Sequence, residues 1–251
     1  MGPSQTSLAV ILRARAYGES DKIVTFLTED FGKLTGIAKG AKNSRRRFAN
    51  CLDVFTRVRV HYRSRVGASL VFMDSCDLLV APGPLVDPAK FAYGSYLVEL
   101  IDQLTAEGQP VRELYHLLTE GLDALAHGAA TASFLRVFEL RLLRLAGYDP
   151  DLLACGRCRR VLPPIERAFL DPARGSVLCT DCQAGAHALV PVAGETLATL
   201  EAVKSTALAE VRSRRFPPAL AADAANLMSH LLALHLPRPL RSVKLIAALS
   251  T

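Results

Sequence analysis

Four of the six cysteines form two Cys-x-x-Cys pairs, Cys155/Cys158 and Cys179/Cys182, with twenty residues between them. Two knuckles at that spacing each present two thiolates to one tetrahedral Zn²⁺. Four sulfurs leave no open position for water or substrate, so the pattern predicts one structural zinc ion that folds its surroundings and catalyses nothing. A thioredoxin-like redox motif uses a single Cys-x-x-Cys beside a βαβ pattern, whereas here two pairs are joined by a polar loop. A disulfide framework requires an oxidising compartment, and nothing near the N-terminus reads as a route to one. His187, five residues past Cys182, reads as a surface histidine, and Cys51 and Cys76 as buried reduced thiols.

A second chemistry lies in the segment from Lys33 to Arg47. It carries six cations, Lys33, Lys39, Lys42, Arg45, Arg46 and Arg47, and no acid. Gly36 and Gly40 let backbone approach a phosphate closely, and the long cationic side chains can follow an irregular strand. Phe31, Phe48 and Phe55 flank the segment; Phe48 is the one expected to be exposed for base stacking. The stretch from Gly36 to Lys42 resembles a phosphate-binding Walker A loop only superficially. Three residues separate its glycines, Ala41 intervenes before Lys42, and Asn43 stands where Ser or Thr would hold Mg²⁺. There is no His-Glu-x-x-His, no Gly-x-Ser-x-Gly and no His-x-Glu ahead of the cysteines. The six histidines cluster with no carboxylates, and His116 and His127 read as lying on helix surfaces. A binding protein, and not an enzyme, is the expectation.

The elements that must position these groups fall into two textures. Up to residue 80, five short β-like runs (Leu8–Arg15, Lys22–Thr28, Lys33–Lys39, Thr56–Arg63 and Ser69–Asp77) are separated by turn-formers at Gly18–Asp21, Glu29–Gly32 and Ser64–Gly67. In the fourth run Val58, Val60 and Tyr62 alternate with polar residues. Five strands in so short a span predict an OB-fold barrel over residues 1–80. After Ala81-Pro82-Gly83-Pro84 the texture is helical. Asp87-Pro88 is a helix start, and further helices are expected at 111–126, 132–145, 195–204 and 218–236. The predicted fold class is α+β multidomain: the barrel, then an all-α helical domain over 81–251 with a four-cysteine zinc-finger module inserted at about 150–190.

Charge is unevenly placed. Residues 1–80 hold thirteen Lys/Arg against seven Asp/Glu, a net of +6 that equals the formal charge of the whole chain. A basic face confined to a small barrel is the footprint of phosphate binding. Arg13, Arg57, Arg59 and Arg63 extend the track if strand register turns them to that face. A rival reading is a zinc-ribbon transcription or translation factor that touches nucleic acid through Arg157, Arg159 and Arg160 beside the first knuckle. A protein-binding scaffold is another. The segment from Ala219 to Leu236 is interrupted by Asp223, Asn226, His230 and His235 and reads as a buried helix, not a membrane span. The start, Met1-Gly2-Pro3-Ser4-Gln5-Thr6, is only a chance match to a myristoylation pattern. A reducing cytoplasm is the expected compartment.

The order of motifs resembles the RecO family of bacterial recombination mediators. The resemblance is carried by Ala16-Tyr17-Gly18-Glu19-Ser20-Asp21-Lys22-Ile23, by Gly32-Lys33-Leu34, and by Ala38-Lys39-Gly40-Ala41. Leu145-Ala146-Gly147-Tyr148-Asp149-Pro150 ahead of the first knuckle, and Leu240-Arg241-Ser242-Val243-Lys244, extend it along the chain. It implies an OB-fold joined to a helical domain with a zinc finger, binding of single- and double-stranded DNA, and annealing of complementary strands. It also implies association with RecR and with the acidic C-terminal tail of single-stranded DNA-binding protein, which together load RecA. Arg238, Arg241 and Lys244 of the last helix are the residues singled out for that acidic tail.

Overall fold

A computed structural model of the chain describes residues 3–64, 69–211 and 214–249. Arg65, Val66 and Gly67 of the expected turn at Ser64–Gly67, and the Met1-Gly2 start, lie outside the described residues. Two compact units emerge: Met1–His127 with Leu240–Thr251, and Gly128–Pro239.

The first unit is built on a closed five-stranded barrel, β1 (Ser4–Tyr17), β2 (Asp21–Thr28), β3 (Gly32–Ala38), β4 (Arg57–Arg63) and β5 (Val71–Val80). The order around the barrel is β1-β2-β3-β5-β4, with β3 and β5 parallel and the other pairs antiparallel. Strand alternation decides the inside: Val58, Val60 and Tyr62 of β4 are buried as their spacing predicts, against Ala9, Ile11, Val24, Phe26 and Met73. A bulge in β1 between Ile11 and Arg13 changes the register against β2.

Among the described residues three α-helices complete this unit: α1 (Pro88–Leu104), α2 (Arg112–His127) and α7 (Ser242–Ala248). Asp87 caps α1 by accepting from the N–H groups of Ala89 and Lys90, with Pro88 in the first turn. The helices are tied to the barrel by charge and by shape. Arg57 forms a two-pronged pair with Asp123 at 2.7 and 2.9 Å. Phe55, held at a φ of 72°, sets its ring against Gly94 of α1, edge-on to Phe91. The barrel and the first two helices therefore belong to one compact unit, which runs past the change of texture at residues 80–84 as far as His127.

The second unit is organised around α3 (Ala132–Leu145), an amphipathic sequence that the fold buries on nearly every side. Arg136 and Glu139 pair at 2.6 Å within it, since a charge taken out of water must find a partner. Around it stand α4 (Gly194–Val203), α5 (Leu208–Val211) and α6 (Pro218–Ala233). This unit is not all-α. β6 (Arg167–Asp171), β7 (Ser176–Leu178) and β8 (Val190–Ala193) form an antiparallel sheet ordered β7-β6-β8. Among the described residues no helix is long and apolar enough to cross a membrane. α6 buries Ala224, Leu227, Met228, Leu231 and Leu232 along one face.

Candidate metal centre and nucleic-acid interface

The sheet of the second unit delivers the cysteines. Cys179 follows directly on β7, and Cys182 N–H donates back to the Cys179 carbonyl at 3.1 Å, closing the second knuckle. In the first knuckle Arg159 N–H donates to the Cys155 carbonyl at 2.8 Å, and Arg159 takes a φ of 63° to complete the turn. Gly156 packs against β7, where an added Cβ would lie 2.7 Å from Ser176 Cβ, and its N–H reaches the Val177 carbonyl at 2.8 Å. This contact brings one knuckle over the other.

The four sulfurs all lie within 4.8 Å of one another, with Cys158 and Cys179 3.8 Å apart. Tetrahedral zinc with bonds of about 2.3 Å requires sulfurs separated by roughly 3.8 Å. Cys155, Cys158, Cys179 and Cys182 thus fit one soft divalent ion in geometry and in donor type. Burial opposes ionisation of Cys155, but the N–H groups of Cys158, Cys179 and Arg157 are directed at its sulfur and hold its pKa down, to about 6. Hydrogen bonding to Cys179, then burial, pushes the Cys182 thiol up to about 12. His187 is exposed and outside the cluster. The knuckle arginines are engaged locally: Arg157 donates to the Ala184 carbonyl at 3.0 Å, and Arg160 pairs with Glu166 at 3.0 Å.

The cationic loop follows β3 in the first unit. Gly40, at a φ of 68°, turns the chain, and its N–H donates to Asp21 Oδ1 at 2.8 Å. That N–H, assisted by Ser20, Lys39 and Lys42, holds the Asp21 carboxyl below its ordinary pKa despite some opposing desolvation. Lys42 is anchored twice to the β1–β2 turn, by its N–H to the Ser20 carbonyl at 2.9 Å and by Nζ to the Gly18 carbonyl at 2.8 Å. Beyond it the chain dives inward: Phe48, Cys51 and Leu52 plug the barrel, with Phe48 only 4% exposed.

Phe48 is therefore a core residue, contrary to expectation, and the exposed member of the phenylalanine trio is Phe31, at 37%. Plugging the barrel with Phe48 projects its neighbours. Lys39, Lys42, Arg45, Arg46 and Arg47 are all at least partly exposed. Arg47 donates to the Lys39 carbonyl at 2.8 Å and lies 5.2 Å from the centre of the Phe48 ring, bracing the loop while keeping its charge. Lys33 stands apart: its ammonium pairs with Asp102 at 3.1 Å, and its side chain is 12% exposed. It fastens β3 to α1.

Two family models cover nearly the whole chain: Recombination protein O N terminal matches residues 1–81, and Recombination protein O C terminal matches residues 85–244. The chain belongs to the RecO family. It is 38% identical over 232 residues to a DNA repair protein RecO of Anaeromyxobacter sp. (strain K), covering 92% of this chain and 91% of that one. It is 37% identical over 243 residues to the DNA repair protein RecO of Geobacter sulfurreducens, covering 96% and 97%. The DNA repair protein RecO of Myxococcus xanthus is 37% identical over 240 residues, with 95% of each chain covered.

Within this RecO-family barrel, strand register sorts the remaining arginines. Arg57 is held by Asp123, and Arg63 by two-pronged bonds to Asp74, whereas Arg13 and Arg59 are exposed. Arg15, Tyr17 and Phe72, not singled out in the sequence, lie on the same outer face of the barrel. Arg15 and Tyr17 continue the Arg13 face of β1, both exposed, and Phe72 sits on β5 with Lys39 Nζ 6.0 Å from its ring centre. The alternation Arg13-Ala14-Arg15-Ala16-Tyr17 is the sequence signal that marks the first two. In the last helix, Glu99 of α1 accepts from the N–H groups of Arg241 and Ser242 at 2.9 and 2.8 Å.

Proposed function

We propose that this chain is a DNA repair protein whose barrel, read as an OB-fold, binds single- and double-stranded DNA through Lys39, Lys42, Arg45, Arg46 and Arg47. The observation that carries this is a loop of five solvent-accessible cations without an acid, pinned at Gly40 by Asp21 and at Phe48 by the barrel core. Pinning matters because preorganised cations spend little ordering entropy on each phosphate. Lys33 is set aside, since contact with a phosphate would break its pair with Asp102. Family membership supports the wider role: annealing of complementary strands and, with RecR, loading of RecA onto strands coated by single-stranded DNA-binding protein. No step in that role needs a catalytic group from this chain. The four-cysteine cluster, read as a zinc finger holding Zn²⁺, folds the second unit's knuckles.

Fluorescence anisotropy of a labelled single strand across a salt series tests the reading. About four to five neutralised phosphates give log K against log[salt] a slope of roughly −3 to −3.5. Lys39→Glu/Lys42→Glu/Arg45→Glu is expected to lower affinity at least tenfold and to flatten the slope. Unchanged affinity in that variant moves the DNA site off the loop.

A further inference from the structure

The barrel turns an unusual row of side chains outward. Because paired residues on neighbouring strands share a face, the register aligns Arg15 of β1, Ile23 of β2, Ile37 of β3, Phe72 of β5 and Arg63 of β4. The adjacent row, Ala14, Val24, Gly36 and Val71, points inward, and Val24 and Val71 belong to the core. Ile37 and Phe72 are half-buried, so an aromatic and a β-branched side chain form a shallow apolar strip in the middle of a polar barrel face.

Cations border this strip. On one side lie Lys39, whose ammonium sits 6.0 Å from the Phe72 ring centre, and the exposed Tyr17 and Arg15. Among the described residues Arg15 and Lys39 take part in no ion pair. On the other side Thr35 donates to Glu107 at 2.6 Å, which ends the strip with a carboxylate. The strip is thus open toward the cationic loop, and its far side carries both the Glu107 carboxylate and Arg13, which the register sets in the row of Thr25 and Thr35. Apolar and aromatic faces beside unpaired cations fit an unpaired base next to its own phosphates.

We propose that Phe72 and Ile37, with Tyr17 at the rim, form a base-stacking platform through which this barrel holds single-stranded DNA more tightly than duplex. This rests on the reading of the loop as a phosphate track and adds to it the part that reads bases. In a duplex the faces of the bases are already stacked and the platform has nothing to hold; phosphates alone reach the loop.

The chain contains no tryptophan, so Phe72→Trp introduces a unique reporter. Its emission is expected to be quenched by oligothymidylate and unchanged by a duplex or by an abasic strand of equal length. In anisotropy titrations the wild type should bind oligothymidylate about 5- to 100-fold tighter than the abasic strand. Phe72→Ala, and separately Tyr17→Ala at its exposed site, should bring those two affinities together while abasic-strand binding stays as in the wild type. Loop-dependent DNA binding with no base preference, and with unquenched Phe72→Trp emission, overturns the platform and leaves the loop reading intact. Loss of binding to every DNA by the wild type overturns both. Quenching of Phe72→Trp by a protein partner, without quenching by any DNA, reassigns the strip to protein docking and overturns the proposal.

Discussion

Gly32 has a φ of +69°, and a Cβ placed there would lie 1.8 Å from the Gln109 carbonyl oxygen. Two costs therefore coincide at one atom: a left-handed backbone that L side chains disfavour, and a collision with backbone that has no rotamer to change. The same spot is where Gly108 N–H donates to the Lys33 carbonyl and where Lys33 pairs with Asp102. Gly32→Ala is expected to cost about 3 kcal/mol, a fall in Tm of roughly 6–12 °C. A variant as stable as the wild type in thermal unfolding would show that the 107–109 segment does not hold this turn. Lys33 itself illustrates what a sequence withholds. Its charge matches that of Lys39 and each has a glycine beside it, and only a partner 69 residues away separates a fastening from a free cation. Phe48 departs from expectation for a related reason. Phe48, Cys51 and Leu52 enter the core from an irregular loop that passes through Asn50 at a φ of 56°, so no period of two or 3.6 marks them.

The knuckles and helix termini are devices that hold elements together, and each can be released alone. At neutral pH without metal, Cys155 is largely thiolate and Cys182 remains a thiol, given pKa values of about 6 and about 12. Zinc uptake must therefore expel protons. Calorimetry in buffers of different ionisation enthalpy is expected to detect proton release, and affinity should rise with pH; proton-neutral uptake would exclude thiolate ligation by all four residues. The sign is that of a depressed acid: the Cys155 thiolate, present above about 6, is lost as pH falls through that value, and retention of metal weakens with it. Cys179→Ser should destabilise the second unit and abolish stoichiometric zinc, and a fully folded, zinc-free variant would remove the metal's folding role. At the other terminus, Glu99 accepts three bonds from the start of α7: two backbone N–H groups and the Ser242 hydroxyl at 2.6 Å. Glu99→Ala is expected to cost about 1.5–3 kcal/mol and to strip hydrogen-exchange protection from the amides of residues 242–248. Unaltered protection there would mean that other contacts hold α7. Strand and helix positions were legible because Val58/Val60/Tyr62 and the Asp87-Pro88 cap are local signals. β6, β7 and β8 were not, being five, three and four residues long, with Pro191 inside the last.

Taken as one molecule, the chain is an interrupted design. The cysteine spacing predicted the cluster that the structure brings together, and the charge excess located the cationic loop. The return of α7 to the first unit was not legible, because that contact joins residues 143 apart and leaves no pattern in any short window. The same non-locality orders events during synthesis. The first unit emerges from the ribosome as far as His127, then waits while Gly128–Pro239 is made before its last helix exists. At translation rates of about 5–20 residues per second this interval is roughly 6–22 s, far longer than helix formation or hairpin closure. A barrel with its cations already in place would thus be borne by a nascent chain whose α1 still lacks its final partner, and a chain stopped short of Leu240 would never acquire it. Ribosome stalling before Leu240 would hold a polycation close to ribosomal RNA while the partner of α1 is still missing.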